Sequence, residues 1–118
     1  MESKSAIIGF SQSEKIKAGL IWANQCVDMI SSLPPPDRSG VEKLMGAFVD
    51  MVAAELSVAR KMAPDERWQE ALQHMDRASV MIRSNVIHEA PFHLSKALTV
   101  VTSIGHETMT DLVAKKLL

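Results

Sequence analysis

One carboxylate of the sequence stands inside an otherwise apolar helical pattern. Glu55 falls within an arc whose other members are all apolar: Phe48, Val52, Ala59 and Met62. An ionised carboxylate in a dry core is costly unless a basic group pairs with it. Two interpretations follow. Either Glu55 lines a pocket, where it would have a shifted pKa and could take part in chemistry, or it lies at the edge of the arc and reaches solvent or one basic partner.

Three further residues are predicted to lie at the height of Glu55 along the bundle. Counting outward from the turn between the second and third helices places His74 at this height, and Gly105 and Thr108 of the last helix follow. Glycine removes side-chain volume, so this layer would hold a cavity unless the glycine serves close helix packing. We therefore take Glu55, His74, Gly105 and Thr108 as pocket candidates.

No pattern in the chain predicts a metal or cofactor site. A carboxylate-bridged di-metal bundle needs Glu-x-x-His pairs on two helices, and none is present. His88 and His93 flank a segment that resembles the H-E-x-x-H zinc motif, but they are five residues apart with Pro91 between them. Cys26 is the only cysteine, which excludes an internal disulfide and a thiolate zinc site. We predict no metal and no cofactor.

Arg83 and His88 are separated by four residues in the segment RSNVIH. This spacing is similar to the R-x4–6-H signature of HEPN-domain ribonucleases, which are also small helical bundles. The resemblance implies that Arg83 and His88 of paired subunits would assemble an RNA-cleaving site, with His88 as the acid–base group and Arg83 on the phosphate. The family usually has Asn, Asp or His after the arginine, where this chain has Ser84. A ribonuclease is therefore the alternative function.

The composition indicates a globular, α-helical protein. The chain has 118 residues, which suit one domain, and 47% of them are hydrophobic and 23% charged. Tyrosine is absent, whereas Met, Ala and Leu are frequent, so helical propensity dominates. The net charge of −1 offers no basic excess for nucleic acid. No apolar stretch suits a signal peptide or a membrane span, so we expect no membrane partner and a cytoplasmic location.

Turn and capping signals divide the chain into four helical segments. Ser11 and Ser39 each precede a glutamate by three residues, which is the capping-box pattern of a helix start. Prolines at 34–36, 64 and 91 interrupt the pattern between segments. The connections are short, so sequential helices must lie antiparallel. We predict an all-α, antiparallel up-down-up-down four-helix bundle as a single domain, 1–118. The expected helices are 12–33, 40–62, 65–89 and 92–116, with 1–10 as an N-terminal arm that could be flexible.

The first two helices carry more apolar residues than a four-helix core needs. Beside each core stripe runs a second line that repeats every seven residues, as a line along one flank does. This line is either a widened buried face or a contact surface for another helix or a second copy. We therefore take as interface candidates Trp22, Met29, Leu44, Met51 and Val58.

These observations favour an interaction protein over an enzyme. The chain has no Gly-rich phosphate loop and no G-x-S-x-G elbow. We predict a non-enzymatic helical bundle that forms a homodimer and binds a protein partner through its extra apolar flanks. An enzyme would cluster its His and Arg residues in a cleft, whereas an interaction protein would leave them dispersed and solvated.

Overall fold

Four α-helices make up the computed structural model, which describes residues 1–118 and contains no β-strand. Each helix packs against the helices before and after it in the chain, and the first also packs against the last. The predicted all-α four-helix bundle is therefore confirmed. None of the helices is both long and apolar enough to cross a lipid bilayer. The helices are α1, Ser3–Ser31; α2, Ser39–Met62; α3, Glu66–Arg83; and α4, Ala90–Ala114.

One hydrophobic core runs along the inside of the four helices. Each helix contributes residues at alternating steps of three and four, which is the spacing of a single helical face. Trp68 of α3 is fully buried in this core, and its indole Nε1 donates a hydrogen bond to the Ala63 carbonyl at 2.8 Å. The polar atom of the largest core side chain is thus satisfied.

The first helix begins at Ser3 rather than at residue 12, and the predicted arm, residues 1–10, is mostly helix. Ala6 and Gly9 are buried and extend the core stripe of α1 toward its N-terminus, with Gly9 packed against Thr108 of α4. Ser11 lies exposed inside the helix and caps nothing. Burial of the preceding turns against α4 therefore decides where the helix starts, and the capping-box pattern at Ser11 was misleading.

The second capping box is also absent, because a different residue organises the α1–α2 connection. The guanidinium of Arg38 donates to the backbone carbonyls of Leu33 at 2.7 Å and Ser31 at 2.9 Å. These bonds satisfy carbonyl groups that the end of a helix leaves free. α2 then starts at Ser39 with no side-chain cap.

The third helix ends at Arg83, six residues before its predicted end. Asn85 adopts the left-handed conformation with φ 63°, and the Val86 N–H donates to the Met81 carbonyl at 3.1 Å. This is the Schellman pattern of a helix C-terminus, in which the left-handed residue is usually Gly and sometimes Asn. A single 3₁₀ turn, Ile87–Glu89, then leads into α4, whose first turn contains Pro91.

Candidate functional site

Glu55 lies at the boundary between α1 and α2, with about a third of its side chain exposed. Its Oε1 accepts a hydrogen bond from Lys15 Nζ at 3.0 Å, and its Oε2 accepts one from Gln12 Nε2 at 3.2 Å. The Lys15 bond, followed by the Gln12 bond, lowers the pKa of Glu55 below its ordinary value, against the smaller opposing effect of desolvation. Glu55 is therefore an ionised partner in an interhelical ion pair, as the second interpretation expects.

The other pocket candidates lie at different helix boundaries. His74 is on α3 beside Arg77, and its pKa is lowered first by partial burial and then by the Arg77 charge. Gly105 faces α1, where an added Cβ would come 2.7 Å from Ser13 Oγ. The Thr108 hydroxyl donates to carbonyls of its own helix. The structure does not bring Glu55, His74 and Gly105 around one cavity, because the glycine packs against Ser13 and equal height does not make residues face the same interior space.

Arg83 and His88 are not brought into one cleft of the chain. The Arg83 guanidinium reaches α2, where Nη2 pairs with Asp50 Oδ2 at 2.5 Å, and Nη1 donates to Ser79 Oγ at 2.9 Å. His88 lies beyond the left-handed Asn85, exposed on the 3₁₀ turn. The groove beside Arg83 includes residues of α2 and Asn85 but not His88. The geometry of one chain therefore lends no support to the ribonuclease alternative.

The remaining titratable groups include a set around His74, where Arg77, Glu70, Lys96 and His93 are near enough to act on its pKa. Arg67 and His74 are separated by six residues, which also fits the R-x4–6-H spacing. The Arg67 guanidinium pairs with the carboxylates of Asp65 at 2.7 Å and Glu107 at 2.6 Å. No three His, Cys, Asp or Glu side chains gather closely enough to hold a metal ion.

All five interface candidates lie outside the core. Between 43% and 71% of each residue is exposed, so they are not a widened buried face. Met29 of α1 and Leu44 of α2 line the same groove. Because the two helices are antiparallel, one heptad further along them Trp22 and Met51 repeat this juxtaposition. The exposed apolar residues on this side of α1 and α2 are here named the α1–α2 surface: Trp22, Met29, Leu44, Met51 and Val58.

A groove opens in the α1–α2 surface at the end near the connecting loop. Its volume is about 360 Å³, and it is lined only by hydrophobic residues. Without a polar or charged side chain it suits apolar side chains and offers nothing to orient a polar substrate. The lining residues are Cys26, Met29, Ile30, Leu33, Val41, Leu44, Met45 and Phe48.

The exposed flank of α2 contains two residues that the sequence reasoning missed. Ala47 and Ala54 are exposed and stand between the larger apolar residues of the same flank. The complete line, here named the α2 strip, has the three-and-four spacing of a coiled-coil seam and a length of about 21 Å. The spacing was present in the sequence, but a search for large apolar side chains passes over alanine. The strip consists of Leu44, Ala47, Met51, Ala54 and Val58.

Comparison with protein-family models, with curated proteins and with solved structures finds no match to this chain. Its candidate site is therefore defined by its own geometry. That geometry includes a set of charged groups around His74 and an exposed apolar area, the α1–α2 surface.

Proposed function

We propose that this protein is a non-enzymatic interaction bundle that self-associates through the α1–α2 surface. The observation that carries the proposal is the exposure of five large apolar side chains in two adjacent rows. Monomeric proteins rarely expose a contiguous apolar patch of more than a few hundred Å², and larger patches usually mark interaction sites. Covering these side chains would remove their apolar area from water, which is the main favourable contribution to association.

The width of the surface favours a second copy as its occupant. A pair of neighbouring helices is about 20 Å wide, and the apolar residues span about 21 Å of α2, so the apolar area measures roughly 400 Å². Each partner of a standard protein interface buries about 800 Å², so a stable contact would also cover the residues around the apolar area. A lone partner helix, about 10 Å wide, would leave half of the face exposed. Two-fold homodimers are also the commonest assemblies, because one patch then covers itself.

The protein partner expected from the sequence is a further part of this proposal. The apolar groove at the loop end would receive side chains from whichever chain covers the α1–α2 surface. Because a second copy alone would cover the α1–α2 surface and its groove, we assign the surface first to a second copy. Binding of an unrelated protein in place of the copy would count against this assignment.

Sedimentation equilibrium of three proteins tests the proposal. The wild type should be a dimer at tens of micromolar, and Met51→Glu should be a monomer, because it places a charge in the surface. Val80→Glu is the matched control, since Val80 is an exposed apolar residue of α3 outside the surface, and it should leave the dimer intact. Far-ultraviolet circular dichroism should show the same helix content in all three.

Two results would overturn the proposal. One is a wild-type protein that stays monomeric throughout the concentration range. The other is an equal loss of association in Met51→Glu and Val80→Glu, which would show that the α1–α2 surface has no special part in it.

A further inference from the structure

The α2 strip alternates large and small side chains in step with its heptad positions. The first heptad position, a, is held by Leu44, Met51 and Val58, and the fourth, d, by Ala47 and Ala54. All five are exposed, so the alternation does not serve the packing of the chain's own core. It therefore defines a surface of regular ridges and gaps about 21 Å long.

The alternation is complementary to itself in one orientation. When two identical helices pair antiparallel, each a position faces a d position of the other. Leu44 and Met51 of one strip then meet the space beside Ala54 and Ala47 of the other, and Val58 lies beyond the last alanine. A parallel pair would instead set Leu44 against Leu44 and Ala47 against Ala47, which leaves crowded layers next to empty ones.

The carboxylates beside the strip do not oppose such a contact. Asp50, on its α3 side, is paired with Arg83, and Glu55, on its α1 side, is paired with Lys15. Both carboxylates are therefore neutralised within their own chain. Lys43 and Lys61, which make no ion pair, lie at the two ends of the strip, where an antiparallel contact brings Lys43 of one copy toward Lys61 of the other and adds a repulsion that salt screens.

We propose that two copies pair through their α2 strips, antiparallel, about a two-fold axis that passes between Ala47 and Met51, so that Ala47 of each copy faces Met51 of the other. Trp22 and Met29 of α1 flank the seam and cover its sides. This inference rests on the proposed self-association and adds to it the identity of the seam, its direction and its register.

Cross-linking between two single-cysteine variants tests the direction of the pair. Lys43→Cys and Lys61→Cys are made in a Cys26→Ala background, mixed, and treated with a short bismaleimide. In the antiparallel pair, position 43 of one chain lies within about 9 Å, measured along the helix, of position 61 of the other. Two copies of the same position lie about 18 Å or more apart along the helix. The expected product is the mixed 43–61 dimer.

A second variant tests the fit between large and small residues. Ala47→Met adds apolar surface, which would strengthen a non-specific hydrophobic contact. In the antiparallel seam it fills the space that Met51 of the other copy needs, so the dissociation constant should rise about tenfold or more. Ala114→Met, at an exposed position near the end of α4, is the control and should leave the dissociation constant unchanged.

The outcomes separate this inference from the proposed function. Cross-links between identical positions, or a dimer that shows no link at either position, would overturn the antiparallel seam while self-association stands. A tighter dimer in Ala47→Met would overturn the size complementarity. A monomeric wild type would overturn the proposed function itself, and the seam with it.

Discussion

Glu55 shows how a single contact decides the state of a carboxylate. Its position next to an apolar stripe is readable from the sequence, but its partners, Gln12 and Lys15, are not. Helical periodicity gives the direction of a side chain on its own helix. It does not say on which side the neighbouring helix lies, because that depends on the order of packing around the bundle. The sequence therefore indicated a glutamate beside the core but did not indicate that its neighbours would be Gln12 and Lys15 of α1.

The Glu55–Lys15 ion pair should make part of the protein's stability depend on pH. Because the pKa of Glu55 is lowered in the folded state, the pair stabilises that state above the ordinary value of 4.5, and the gain is lost as the pH falls through the lowered pKa. Glu55→Gln should reduce the free energy of unfolding at pH 7 by about 0.5 kcal/mol, a modest effect because the pair is partly exposed. The difference from wild type should shrink in strong acid.

Urea denaturation at neutral and acid pH measures this difference. Asp28→Asn is the control, because Asp28 is exposed and makes no ion pair, and it should show no loss of stability at pH 7. An equal loss from Glu55→Gln at both pH values would show that the ion pair does not act as described.

Helices were easier to predict than their ends. The four periodic segments and their antiparallel order follow from core spacing and short connections. The ends depend on competition between local capping and burial. Ser11 has good capping chemistry, yet burial of Ala6 and Gly9 carries α1 past it. Asn85, a residue that tolerates the left-handed conformation, ends α3 before the more conspicuous Pro91.

Close approach of α1 and α4 at Gly105 predicts opposite effects for two glycine substitutions. Gly105→Ala should destabilise the protein by about 1–3 kcal/mol, because the new Cβ would lie 2.7 Å from Ser13 Oγ. Gly40→Ala meets nothing within 4 Å and should be neutral or stabilising by up to about 1 kcal/mol. Urea denaturation measures both.

A double substitution identifies the cause of any loss. Ser13→Ala removes the Oγ that the new methyl group would meet, so it should recover part of the stability lost in Gly105→Ala. Equal stability of Gly105→Ala and Gly40→Ala would mean that α1 and α4 are not in close contact at this layer.

Over the whole molecule, the α1–α2 pair and the α3–α4 pair differ in the width of their apolar lines. The sequence indicated this asymmetry, because the apolar lines of the first two segments are wider than those of the last two. Whether the extra width was core or surface depended on the width of the packed interior, which one helix alone does not reveal. The structure places the five residues outside the core, and also shows that Ala47 and Ala54 complete the line on α2.

The two tryptophans of the chain lie in opposite environments, so its intrinsic fluorescence has two components that can be separated. Trp68 is fully buried, Trp22 is 66% exposed, and no tyrosine contributes emission. In dilute protein, iodide should quench the long-wavelength emission of Trp22 and spare Trp68. On concentration, the Trp22 emission should shift to shorter wavelength and become less accessible to iodide, while Trp22→Phe should leave only a protected, concentration-independent signal. Equal accessibility of Trp22 to iodide at all concentrations would mean that the α1–α2 surface is not covered. If its accessibility falls, the emission of Trp22 reports association and the emission of Trp68 reports folding in the same sample.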